Sequence, residues 1–198
     1  MICIVDLDVG NLANVKRALG GNISSDPALV EQADKIVLPG VGNFGSVSEE
    51  IESLRDVIVE GVEEGKPILG ICLGMHLLFE DSDEGRGNGL GILKGEVRRF
   101  REKRTPHIGW NTVNFNERSK LFEGIGENEY FYFAHSYRAY PEDEGIVVGR
   151  TERAVGGSDE TFPSIVQKDN FYGTQFHPEK SGIAGRKLLN NFKERGAV

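Results

Sequence analysis

Apolar and polar positions along the first half of the chain alternate between short apolar runs and longer stretches of helical period. Residues 2–7 predict a buried strand, 11–19 a helix, and 36–38 a second strand ended by Pro39-Gly40-Val41-Gly42. From Phe44 onward, Phe44, Val47, Ile51, Leu54, Ile58 and Val62 are spaced 3, 4, 3, 4 and 4 apart. That spacing is one face of a single helix, stopped by Gly65 and Pro67. Residues 68–71 return as strand and run into Cys72-Leu73-Gly74 and a helical stretch to residue 79. Strands alternating with helices in this way predict an α/β fold, its parallel sheet covered by helices.

The second half is β-rich. Runs at 96–100, 130–133, 146–150, 164–167 and 171–175 predict strands, separated by Gly, Pro, Asn and Asp, and a helix over 183–192 closes the chain. The acidic, glycine-rich stretch 81–91 reads as a surface loop, not a linker, so residues 1–198 are expected to form one domain. No repeat or low-complexity segment is visible.

Composition narrows the function classes. The 198 residues carry 23 Lys and Arg against 31 Asp and Glu, a formal net charge of −8. Nonspecific nucleic-acid affinity comes from basic side chains displacing counterions, so a nucleic-acid role is disfavoured. The basic run 94–104 departs from this balance and reads as a strand with a solvated basic face. The start, MICIVDLDVG, lacks a basic leader and a long apolar run, and no stretch reaches the roughly 18 apolar residues of a membrane span. A cytoplasmic protein is expected. Two cysteines cannot make a disulfide framework, so each should be a free thiol.

Cys3 lies inside the first strand and reads as packing. Cys72 sits between strand and helix in Gly70-Ile71-Cys72-Leu73-Gly74, with a glycine two residues away on each side, the pattern of a nucleophile elbow. The helix beginning there favours a thiolate and offers the Leu73 amide as an oxyanion donor. A base is available in His177, with Glu179 two residues on. Pro178 is expected to hold the chain extended between them at a strand terminus, so both side chains face one way, and Glu179 orients the imidazole that addresses Cys72. His76, one helical turn after Cys72, is a second base or a pocket residue. A metal site from Cys72, His76, His135 and His177 is disfavoured, because the spacings match no familiar zinc pattern.

Three segments, Pro39-Gly40-Val41-Gly42, Gly70-Ile71-Cys72-Leu73-Gly74-Met75 and Gln175-Phe176-His177-Pro178-Glu179, together resemble the class I, triad-type glutamine amidotransferase family over nearly the whole chain. The resemblance implies a flavodoxin-like, mainly parallel sheet flanked by helices. It implies that Cys72 attacks the side-chain amide of glutamine, His177 moves protons and Glu179 orients it. Leu73 and the Val41–Gly42 segment would hold the oxyanion, and Gly40, Gly42, His76, His135, Ser136 and Tyr137 would line the glutamine pocket. In this family the second oxyanion donor is misplaced until the partner is loaded, which makes the peptide near Val41 a switch. The family usually has Gln where this chain has His76, and neutral imidazole is a donor or an acceptor at each nitrogen, not both.

With Pro106-His107-Ile108-Gly109-Trp110-Asn111, His135-Ser136-Tyr137 and Lys180-Ser181 added, the set resembles the branch that supplies ammonia to a separate (β/α)8-barrel cyclase subunit in histidine biosynthesis. Trp110, Asn111 and Lys180 would then belong to the docking face. No cofactor or metal is implied, and no phosphate-cradling glycine motif is present. The alternatives are a glutaminase for aminobenzoate or nucleotide synthesis, a cysteine peptidase or amide hydrolase on the same fold, and an inactive interaction module.

Overall fold

The computed structural model describes residues 1–101, 105–115, 119–155 and 158–194. Its first half runs β1 (Ile2–Val5), α1 (Leu12–Leu19), β2 (Asn22–Ser24), α2 (Pro27–Glu31), β3 (Lys35–Leu38), α3 (Ser48–Ser53), α4 (Arg55–Glu63), β4 (Ile68–Ile71) and α5 (Leu73–His76). The second half adds β5 (Asp81–Ser82), β6 (Gly95–Arg99), β7 (His107–Thr112), β8 (Asn114–Phe115), β9 (Tyr130–His135), β10 (Tyr137–Pro141), β11 (Val147–Val155), β12 (Ser158–Lys168), β13 (Phe171–Thr174) and α6 (Gly182–Glu194).

An eight-stranded sheet in the order β2-β1-β3-β4-β13-β12-β11-β8 is the frame. From β2 to β13 neighbouring strands are parallel, and beyond β13 they are antiparallel. Two smaller groups accompany it: β5 and β10 on either side of β6, and the antiparallel pair β7–β9.

Burial on both faces explains why the parallel strands read as continuous apolar runs. In β1, Cys3 and Val5 enter one core while Ile2 and Ile4 enter the other; in β3, Ile36 and Leu38 oppose Val37. The first core is closed by Val30, Ile51, Leu54 and Ile58 of the segments on that face. The second is closed by Val15 and Leu19 of α1, Leu188, Leu189 and Phe192 of α6, and Phe131 and Phe133 of β9.

Several expectations need correction. The helix expected from Phe44 onward is three pieces, a 3-10 turn (Phe44–Ser46), α3 and α4, with the last break at Leu54. Its apolar stripe nevertheless stays inward: Phe44, Val47, Ile51, Leu54 and Ile58 are buried. The Arg55 guanidinium ties the break to the carbonyls of Gly89 and Leu90. The stretch 81–91 is no simple surface loop, because it starts as β5 and buries Leu90. The basic run forms β6, with Lys94 on Glu80 at 2.6 Å and Arg98 on Asp81 at 3.1 Å; residues 102–104 lie outside the described set. Among the described residues no helix is long and apolar enough to cross a membrane.

Candidate active site

Strands β3, β4 and β13 are neighbours, so the segments leaving their carboxyl ends converge. In open parallel sheets this is where ligands bind. The three segments are Pro39–Gly42, Cys72–Gly74 and Gln175–Glu179.

Cys72 takes φ +52° and ψ −102°, outside the regions an L-residue prefers, a strain of order 1–3 kcal/mol. Its amide donates to Thr174 O at 2.7 Å, which pins the elbow to the end of β13. Crowding explains the flanking glycines. A Cβ on Gly74 would lie 1.7 Å from Leu38 O, and one on Gly70 would lie 2.5 Å from Gly74 O. Leu73 is the first residue of α5, so its amide has no acceptor within the helix.

His177 is held from its backbone. Its amide donates to Tyr132 O at 2.8 Å, and its carbonyl accepts from Ser181 Oγ at 2.6 Å. Ser181 Oγ in turn accepts from Tyr132 N at 2.9 Å. Pro178 does not keep the chain extended: Pro178–Lys180 is a 3-10 turn, in which proline suits the first position because its φ is already helical. The turn still brings Glu179 back to its neighbour, and His177 Nδ1 donates to Glu179 Oε1 at 3.0 Å, with the two side chains 1% and 3% exposed. Burial alone would lower the His177 pKa; interaction with Cys72 and with Glu179 outweighs it and raises the pKa to about 9. The second ring nitrogen, Nε2, is buried and, with Nδ1 on Glu179, is the one left to interact with Cys72.

A cavity of about 280 Å³ opens beside the sulfur, lined by Val41, Gly42, Leu73, His76, Ser136 and Tyr137 among others. Of the expected pocket residues only Gly40 is not in the lining. It lies behind the wall, where a Cβ would meet Leu73 Cβ at 2.6 Å. His135 lines the cavity, yet both its nitrogens are committed: Nδ1 donates to Tyr137 O at 2.7 Å, and Nε2 lies 3.0 Å from His107 Nδ1. His76 is buried, lies 2.9 Å from Gln175 Oε1 through Nε2, and has its pKa lowered to about 4 by burial, partly offset by that hydrogen bond. Burial therefore favours its neutral form.

Glu84, which the sequence reading passed over inside its glycine-rich stretch, also lines this cavity. Burial raises its pKa to about 7, against a backbone hydrogen bond from Phe44 at 3.3 Å. Among the described residues no group of three His, Cys, Asp or Glu is placed to hold a metal ion. A larger hollow of about 430 Å³ lies along β7, β8 and β11 and contains no cysteine or histidine.

The expected docking residues divide. Trp110 is 55% exposed on β7, with Ile108 at 63% on the same strand and Tyr130 at 59% on β9. Lys180 Nζ lies 5.7 Å from the Tyr132 ring centroid, beside this stripe. Asn111 turns inward: its Nδ2 donates to Glu152 O at 2.9 Å and its Oδ1 accepts from Thr112 N at 2.8 Å. Cys3 is a free, fully buried thiol in β1, and burial raises its pKa.

A family model described as Glutamine amidotransferase class-I matches residues 15–195. The chain is 56% identical over 194 residues to "Imidazole glycerol phosphate synthase subunit HisH" of Thermococcus kodakarensis, covering 98% of this chain and 99% of that protein. Identity is 45% over 202 residues to the protein of the same name from Aquifex aeolicus, covering 97% and 95%. Among solved structures, "Structure of PurLQS from Thermotoga maritima" superimposes with a TM-score of 0.74 at 24% identity, covering 96% of each chain. At that identity the likeness concerns the fold alone. The chain belongs to the class-I glutamine amidotransferases and, within them, to the family of imidazole glycerol phosphate synthase subunit HisH.

Proposed function

We propose that this chain hydrolyses glutamine to glutamate and ammonia with Cys72 as nucleophile, His177 as proton carrier and Glu179 as its orienting carboxylate. The observation that carries this reading is the strained thiol at the end of β4 interacting with a buried imidazole whose Nδ1 is tied to a carboxylate.

The geometry supports the following sequence. The thiolate of Cys72 adds to the side-chain carbonyl of glutamine, and the oxyanion accepts from the Leu73 amide and an amide of the Val41–Gly42 segment. Removing one such donor costs about 2.7–4 kcal/mol of transition-state stabilisation in enzymes where it has been tested. The His177 imidazolium gives its proton to the departing nitrogen, leaving a glutamyl thioester and ammonia. Neutral His177 then takes a proton from water as the water attacks the thioester, and collapse returns thiolate, imidazolium and glutamate. Across the cavity, Glu84 offers a carboxylate to the α-ammonium of glutamine.

The ammonia is passed on, in this reading, to a separate (β/α)8-barrel cyclase subunit that makes imidazole glycerol phosphate and aminoimidazole carboxamide ribonucleotide. Two things support a partner. The relatives are named as subunits of a synthase. The apolar stripe of Ile108, Trp110 and Tyr130 lies on the pair β7–β9, whose second strand also carries His135 of the cavity wall. Solvent-facing aromatics of this kind mark interaction surfaces. In one cytoplasmic compartment the pair would work as a heterodimer.

The test is glutamate release by the pure chain alone, with the cyclase subunit, and with the cyclase subunit plus its nucleotide ligand. Strong stimulation by the loaded partner is expected. Partner-independent peptide cleavage, or no glutamate under any condition, would overturn the proposal.

A further inference from the structure

Gln175 is fully buried, so it cannot touch a substrate in the cavity, yet its side-chain amide lies between two groups of the site. Its Oε1 is 2.9 Å from His76 Nε2, and its Nε2 is 3.8 Å from Cys72 Sγ. The three residues come from the elbow, the end of α5 and the segment after β13, so the contact exists only in the folded chain.

We propose that Gln175 is a positioning residue for the reacting sulfur: anchored through its carbonyl on His76 Nε2–H, it holds an amide N–H on Cys72 Sγ. The inference rests on Cys72 being the nucleophile.

Proton counting fixes the direction of the relay. His76 is neutral around pH 7, since burial lowers its pKa to about 4, and a neutral imidazole carries one N–H. Facing a carbonyl oxygen at 2.9 Å, Nε2 must be the nitrogen that carries it. The Gln175 amide is then oriented with its NH2 group toward the sulfur. The reversed amide would donate to a His76 lone pair and aim its own carbonyl oxygen at a thiolate, which is repulsive. With Nε2–H on the Gln175 carbonyl, the amide NH2 faces the sulfur, the orientation that favours S⁻ over S–H. The opposing influence is Ala134 O, 3.9 Å from the sulfur, which accepts from the protonated thiol.

This gives the residue at position 76 a role toward the nucleophile as well as toward the pocket. Any side chain there that donates to Gln175 Oε1 keeps the relay, and an apolar one releases it. Gln at position 76 has such a donor.

The test is the pH dependence of iodoacetamide alkylation of Cys72 in the whole isolated chain, located by peptide mapping because Cys3 is also a free thiol. Other titratable groups facing Cys72 are His177 with Glu179, His135 and Tyr137 of the β9–β10 segment, and Glu84. These are unchanged in the variants, so they shift every profile alike. Gln175→Leu and His76→Leu should each move the midpoint up by about half to one pH unit, the scale of a lost hydrogen bond to the charged form. His76→Gln should restore the wild-type midpoint. Profiles of folded His76→Leu and wild type that coincide, or a His76→Gln midpoint as high as that of His76→Leu, would overturn the proposal. Should Gln175→Leu fail to fold, the two His76 variants carry the test. Glutamate release by the wild type with its partner is read separately, so failure of the glutaminase reading is distinguishable from failure of the relay.

Discussion

His177 is buried, and its interactions with Cys72 and Glu179 favour the imidazolium over the neutral ring. His177 stays an imidazolium up to about pH 9. In the proposed mechanism the departure of ammonia uses that proton, so kcat should fall about tenfold per pH unit above about pH 9; an alkaline limb near 6.5 would contradict the assignment. Because the folded pKa exceeds the ordinary value of 6.5, the same group contributes stability that is complete below 6.5 and lost as pH rises through about 9. Glu179→Gln should move the alkaline limb down and slow turnover less than His177→Ala, which removes the proposed proton carrier. Glu84 works in the other direction. With a pKa of about 7, its carboxylate protonates below that pH and loses its charge for the substrate ammonium. The KM for glutamine should therefore rise as pH falls below about 7 in the wild type, and should be high and flat with pH in Glu84→Gln.

Elements place these residues through close backbone approaches. The turn after β4 works only if α5 can start against β3, and Gly74 is the point of contact, where a Cβ would lie 1.7 Å from Leu38 O. Gly74→Ala should destabilise the chain by about 3 kcal/mol or more, because backbone has no rotamer to yield. Gly65→Ala, at φ +87° with nothing within 4 Å of its Cβ, should cost about 1 kcal/mol; urea unfolding compares the two. At this scale the sequence was legible wherever both faces of a strand are buried or a helix has one apolar face. Hence β1, β3, β4, β13, α1 and α6 were read within a few residues. The pair β7–β9 was half read. The strand β7 was missed because Pro106 and Gly109 read as turn signals, although Ile108 and Trp110 alternate with His107, Gly109 and Asn111. The long ribbon β11–β12 was read too short because Arg150, Glu152, Arg153 and Glu160 make its outer part look like loop. α2 did carry a readable signal: Asp26 caps it, accepting from Ala28 N at 3.0 Å, and Pro27 follows. The positions proposed as the triad stand out in the glycine spacing and in His-Pro-Glu, whereas Glu84 and Gln175 do not. Their part in the site depends on where chain returns meet, which no local pattern encodes.

For the whole molecule, the order β2-β1-β3-β4-β13 gathers three loops at one end of the sheet, while β7–β9 sets an apolar face beside them. A partner seated there would reach the cavity wall, to which Ile108 of β7 and His135 of β9 belong. Trp110→Ala should leave the unfolding midpoint of the isolated chain almost unchanged, as expected of a half-exposed side chain, and weaken binding of the cyclase subunit by about 2 kcal/mol, the scale of an aromatic anchor. Isothermal titration of the two subunits reads this directly; unchanged affinity would place the partner on another face. The claim on which the rest stands is that the sulfur of Cys72 forms the bond to substrate. Acid-quenching the partner-loaded enzyme during turnover and mapping glutamyl adducts by mass spectrometry tests it most directly. A thioester on the peptide carrying Cys72, absent from Cys72→Ala, which still supports synthesis from added ammonia, is the predicted result. Glutamate formation by Cys72→Ala at the wild-type rate would contradict it.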